Sequence, residues 1–162
     1  MINEEYLIRL LDRYGSSMLR LACTYLKNRA DAEDAVQDVF LKLVQKQPHF
    51  NDENHEKAYL LKATANVCRN KLLLFWYRNV GSIDDEKELC FTDEYDSDSC
   101  VFEAVMKLPV KFRTVVHLYY YEGYKTAEIA NLLGKSDAAV RSDLHRARKQ
   151  LKDMLKEAYD FE

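Results

Sequence analysis

Arg141, Ser142, His145, Arg146 and Lys149 would share one arc of a helix, opposite Val140, Leu144 and Ala147. Their chemistry is donation of hydrogen bonds without catalysis. An arginine fork can bind guanine O6 and N7, serine can contact several bases, and lysine can hold a phosphate. Just upstream, Gly134 offers a tight turn between this helix and a shorter one over about Tyr124–Leu133. Two helices joined by a short glycine turn form the helix-turn-helix layout, whose second helix enters the major groove. Lys125 and Thr126 would open the shorter helix, where free N–H groups can meet a backbone phosphate. Gly-turned helix pairs also occur as plain packing motifs.

A second constellation has the opposite charge. Asp34, Gln37, Asp38 and Leu41 recur at i, i+3, i+4 and i+7, so they share one helical face. Acids early in a helix also stabilise it through the macrodipole; the alternative is a docking surface for a basic partner. A third stretch, about Lys57–Tyr77, interleaves Lys57, Lys62, Asn66, Arg69 and Lys71 with Tyr59, Phe75, Trp76 and Tyr77. Bases beside stacking groups suit a single strand or melted duplex, while the aromatics equally suit a core. Phe50 and Asn51 stand in the polar loop before it. Phe50 is either a loop anchor or a stacking platform.

These side chains need helices to position them, and the composition supplies helices. Four glycines and two prolines among 162 residues leave too few turn formers for a sheet-rich fold. Gly15 is expected to separate helices over Glu4–Tyr14 and Ser17–Lys27. Asp31 is expected to N-cap the next helix, and Pro48 to end it. In the long helix that follows, Tyr59 or Leu60, Ala63, Val67 and Leu74 are expected to face inward. Further on, a helix from about Ser99 to Leu108 is followed by one that Pro109 opens and Gly123 stops. Ala127, Ala130 and Leu133 form the short helix's inner face, and Ser136 caps the last helix. The fold class is all-α, with two small helical domains joined by an acidic linker.

Charge divides the chain in the same way. Overall it is −3, but residues 1–80 carry +2, residues 81–100 carry −7 and residues 101–162 carry +2. Bases without acids run from Lys57 to Arg78, and Arg141, Arg146, Arg148, Lys149 and Lys152 oppose only Asp143. Such local stripes attract phosphate even on an acidic protein, although a single run is often just a solvated face. The longest uncharged run, Thr114–Tyr121, is far below the ~20 residues a membrane span needs. With no apolar h-region at the start, a cytoplasmic location is expected. The cysteines and histidines show neither CxxC, HxxxH nor HExxH spacing, so reduced thiols and no metal are expected. Without a phosphate loop or a nucleophile–base motif, neither an enzyme nor a cofactor is expected.

Four segments in order, DAEDAVQDVF (31–40), FNDENHEKAYLLKATAN (50–66), LPVKFR (108–113) and EIANLLGKSDAAVRSDLHRAR (128–148), resemble the extracytoplasmic-function sigma factors of bacterial RNA polymerase. The likeness covers nearly all of the chain except the linker. It implies a sigma-two domain at 1–80, a linker at 81–100 and a sigma-four domain at 101–162. It implies that Asp34, Gln37, Asp38 and Leu41 dock on the polymerase β′ clamp helices. Phe50, Asn51, Lys57, Lys62, Asn66 and Arg69 would engage the minus-ten element and capture a flipped base. Thr126, Arg141, Ser142, His145, Arg146 and Lys149 would engage the minus-thirty-five element, with sigma-four also meeting the β flap. The implied partners are core polymerase, promoter DNA and an anti-sigma factor, with no membrane insertion. The sequence departs from the family at Tyr59, where Trp is usual, and at Asp143, where a base is common. Asp143 is expected to repel phosphate or to select a donor such as cytosine N4. A stand-alone helix-turn-helix regulator would explain residues 101–162 but not the first half. A sigma-like polymerase-binding regulator that docks without opening promoters is a third reading.

Overall fold

Asn3 opens the first helix by accepting the Tyr6 N–H at 2.9 Å, the usual work of an N-cap side chain. From there α1 (Glu4–Leu26) runs unbroken in the computed structural model, which describes residues 1–78 and 99–159. Gly15 therefore does not separate two helices. A glycine costs a helix interior only ~1 kcal/mol against alanine, and the burial of Leu10, Tyr14, Met18 and Leu21 around it outweighs that. α2 (Arg29–Lys46) starts three residues earlier than a cap at Asp31 would allow. Asn28 is the cap, its carboxamide oxygen accepting the Asp31 N–H at 2.9 Å. It ends at Gln47, in the left-handed region at φ 48, immediately before Pro48. Gln47 also accepts the Ile2 N–H at 2.7 Å, tying the start of the chain to the end of α2.

α3 (Glu53–Arg78) begins inside the segment expected to be loop. Asp52 explains why: its carboxylate accepts the His55 N–H at 2.7 Å and so caps the helix. The three helices form one bundle whose core includes Leu10, Met18, Leu21, Val39, Leu43, Leu60, Leu61, Ala65 and Cys68. α1 is fastened to the first turn of α3 by polar contacts. The Tyr6 hydroxyl donates to the buried Glu56 carboxylate, and Arg13 pairs with Glu53 at 2.7 Å. Leu60 and Val67 face inward as expected, but Leu74 does not. From Leu73 to Tyr77 the end of α3 is exposed.

Chain contacts group into two compact units, Met1–Cys90 and Phe91–Glu162. Their border falls in the expected linker, of which 81–98 lie outside the described residues. In the second unit α4 (Ser99–Lys107) leads to Pro109, which caps α5 (Val110–Val116). The helix then widens into a single π turn, His117–Tyr121, and Gly123 stops it at φ 73. Buried Arg113 is satisfied by donating to the Leu108 carbonyl at 2.9 Å. α6 (Thr126–Leu133) and α7 (Asp137–Tyr159) follow. Phe102, Leu108, Val115, Leu118, Ile129, Val140, Leu144 and Ala147 make the core of this unit. Ala127 is exposed rather than inward, because the inner face of α6 falls on Ile129, Ala130, Leu132 and Leu133. Among the described residues no helix is long and apolar enough to cross a membrane.

Cys68 is a free, buried thiol that burial pushes up to about 12. No metal-binding cluster occurs among the described residues.

Candidate nucleic-acid and protein interfaces

The turn between α6 and α7 is built by two residues. Gly134 takes φ 68 at the end of α6, a left-handed conformation that glycine adopts without strain. Ser136 then accepts the Ala139 N–H at 3.1 Å and starts α7. Val140, Leu144 and Ala147 face the core, which rotates Arg141, Ser142, His145, Arg146 and Lys149 outward. All five are exposed. Arg141 makes an i, i+4 pair with Asp137 at 3.2 Å, a contact open to solvent on both sides. The start of α6 is less available than expected. The Lys125 N–H donates to Glu128 at 3.0 Å, so that group is already used, and Thr126 is half-buried.

Asp143 is not on this outward face. It is buried, and its carboxylate pairs with Lys135 at 3.1 Å. The expectation that it repels phosphate or reads cytosine is therefore corrected: it fastens α7 to the turn. Arg148 also leaves the basic stripe. Its Nε donates to the Tyr120 hydroxyl at 2.7 Å, and the guanidinium lies 5.4 Å from the Tyr119 ring centre. That hydrogen bond, the leading cause, raises the Arg148 pKa despite partial desolvation.

In the first unit, Asp34, Gln37 and Leu41 are exposed on α2 and Asp38 is half-exposed. Leu41 is 62% exposed, an apolar group beside two carboxylates. On α3, Lys62 and Asn66 are exposed, and Arg69 donates to Asn66 at 2.6 Å along the same face. Lys57 is half-buried and, five residues before Lys62, lies about 140° around the helix from it. Phe50 is half-buried and packs edge-on against Tyr59, with ring centres 5.2 Å apart, and against His55 at 5.6 Å. The exposed Asn51 donates its N–H to His55 Nδ1 at 3.1 Å. Phe50 is thus anchored to α3, by the residue that stands at the usual Trp position, while part of its ring remains open.

Lys71 does not belong to the basic face of α3. It stands about two and a half turns from Lys62, hence on the opposite side of the helix. There it reaches α2, 3.1 Å from Asp38 and 3.5 Å from Asp34. Burial works to lower its pKa, but the two carboxylates outweigh it and the net direction is upward. Helical angle was the signal that could have separated Lys71 from Lys62 and Arg69. Composition alone pooled them.

Family models match both units: Sigma-70 region 2 over residues 10–73 and Sigma-70, region 4 over residues 99–151. The ECF RNA polymerase sigma factor SigL of Mycobacterium tuberculosis is 30% identical over 155 residues, 91% of this chain and 88% of that protein. A probable RNA polymerase sigma factor, RfaY of Xanthomonas campestris, is 26% identical over 94% of this chain, which spans only 41% of that longer protein. Among solved structures, the sigma factor RpoE of Bartonella quintana, in complex with the anti-sigma factor NepR, superposes with a TM-score of 0.77 at 21% identity. That match covers 91% of this chain and 95% of that one.

Proposed function

The chain belongs to the ECF RNA polymerase sigma factors, and from that premise we propose how its two units divide the work of starting transcription. As a member of that family it is an initiation factor rather than an enzyme. The first unit, residues 1–80, docks on core polymerase through Asp34, Gln37, Asp38 and Leu41 of α2, against the β′ clamp helices. The same unit opens the minus-ten element with α3 and the loop before it. Lys57, Lys62 and Arg69 hold phosphates, and Phe50, Asn51 and Asn66 receive an unstacked base. Unstacking costs a few kcal/mol, so a pocket that offsets this cost can select the base.

The second unit, residues 101–162, binds the minus-thirty-five element. Arg141, Ser142 and Arg146 meet base edges, His145 and Lys149 meet the backbone, and Thr126 lies at the edge of the contact. The β flap of the polymerase meets this unit too. Residues 81–100 link the two units, and their −7 charge resembles that of RNA in the exit region they would cross. An anti-sigma protein holds the factor inactive, as the complex of the similar sigma factor RpoE with NepR suggests. The protein works in the cytoplasm, where core polymerase and promoters are.

The observation that carries this reading is the outward face of α7. Five donor side chains are exposed on the second helix of a helix-turn-helix, in a chain that also presents Asp34 and Asp38 on a separate unit. Run-off transcription tests it, with sigma-free core polymerase from a related bacterium and pooled promoter fragments. Discrete transcripts that depend on this chain are expected. Core binding without transcripts would favour a docking regulator, and neither would favour a stand-alone DNA binder.

A further inference from the structure

Lys71, a base of the stripe expected on α3, turns toward the docking acids. Its ammonium spans Asp34 and Asp38, four residues apart on α2, and contacts the Oδ2 atom of each. Its side chain is 28% exposed, against 67% for Asp34 and 42% for Asp38. The lysine therefore approaches from the bundle side and leaves the outer edges of both carboxylates to solvent. We propose that Lys71 is an intramolecular counter-ion that competes with the basic partner of this acidic face and so limits how tightly the face docks. The inference rests on the reading of Asp34 and Asp38 as polymerase-binding residues.

The physics is a matter of charge count. Two carboxylates and one ammonium leave the face with about one net negative charge, where the acids alone would present two. An incoming cation meets carboxylates already partly compensated, and the first gain of docking goes to displacing or sharing with Lys71. Exposed pairs of this kind are worth only ~0.2–1 kcal/mol, so the device tunes affinity and does not block docking. It also offsets the repulsion between Asp34 and Asp38, which i, i+4 spacing makes neighbours of like charge. Cross-interface charges act chiefly on association rate and specificity. Lys71 should therefore disfavour partners with a single cation over those that present two.

The test uses the full chain and sigma-free core polymerase, with affinity measured over a salt series. Lys71→Met keeps the apolar stem and removes the charge. It should dock about two- to fivefold more tightly at low salt, the range that such a pair energy allows. Its affinity should also fall more steeply as salt rises. Lys71→Arg, which keeps the charge, should dock as the parent does. Thermal unfolding shows that each variant is folded. Unchanged or weaker docking by folded Lys71→Met overturns the proposal, and weaker docking restored by Arg would make Lys71 a positioning residue instead. The underlying reading fails separately: Asp34→Ala with Asp38→Ala would then leave core affinity unchanged. If that pair of changes abolishes docking while Lys71→Met has no effect, only the proposal falls.

Discussion

α3 and α7 are the two long basic helices of this protein, and they use their surfaces differently. On α7 one arc holds the core residues and the other holds the donors, so a single rotation sets both. On α3 the surface has three parts. Lys62, Asn66 and Arg69 face one way, Lys71 reaches α2 on the other side, and Leu73–Tyr77 extends exposed beyond the bundle core. α7 meets α4, α5 and α6, yet all three lie against the single arc of Val140, Asp143, Leu144 and Ala147, so the helix is amphipathic in the simple sense. A helix wedged between α1 and α2 has to bury two sides, and its functional face shrinks to what remains.

If α7 is a self-contained reading helix, its core contacts decide everything else about it. Leu144→Ala removes a side chain only 2% exposed and should cost about 2–5 kcal/mol. Unfolding followed by circular dichroism should show the loss, with duplex binding abolished and core docking through α2 retained. Equal loss of both activities would mean that the two units do not divide the work as described.

Arg146→Ala should weaken specific promoter binding by ~1–3 kcal/mol if the side chain reads a base. Measured on matched and scrambled minus-thirty-five duplexes, an equal loss on both would reduce it to a phosphate contact. Lys135→Ala should cost about 1–2 kcal/mol of stability, since it leaves the buried Asp143 carboxylate without its partner. It should leave base preference unaltered. A changed preference would return Asp143 to the reading face.

The Cys68 thiol supplies a comparison with pH. Its folded pKa, raised from 9.0 to about 12 by burial, exceeds that of the unfolded chain. The unfolded state therefore loses the proton first, and stability from this group is full below pH 9 and lost as pH rises toward 12. Cys68→Ala should show a shallower decline in stability over that window. At the small end, Arg29→Ala breaks an exposed pair with Glu33 and should shift stability by less than about 0.5 kcal/mol.

How much of this was legible in the sequence follows the same contrast. The second unit was nearly all readable, because its signals are local: Pro109, Gly123, Gly134 and Ser136 each act within one turn of where they stand. What misled there was rotation about a helix: Asp143 is turned in to Lys135, Arg148 to Tyr120, and Ala127 outward. The first unit was less readable. Gly15 has the type of a breaker, but packing on α2 and α3 carries the helix through it. Asp31 has the right type for a cap, yet Asn28 was nearer the real start. Lys71 and Glu56 owe their roles to partners on other helices, and no local pattern announces such contacts. Spacing alone shows that 34, 37, 38 and 41 share a helical face, while the docking and minus-ten roles come only from family resemblance.

The loop before α3 carries one further consequence. Asn51 leans on His55, His55 on Asp52, and Phe50 on Tyr59. The cost of ordering Phe50 is therefore met during folding, and the free protein already holds the ring in one place. Apparent affinity is the intrinsic affinity scaled by the fraction of molecules in the competent state. If a base stacks on Phe50 as proposed, loosening the loop would lower that fraction and weaken binding by dilution of the competent state, with every contact to the base intact.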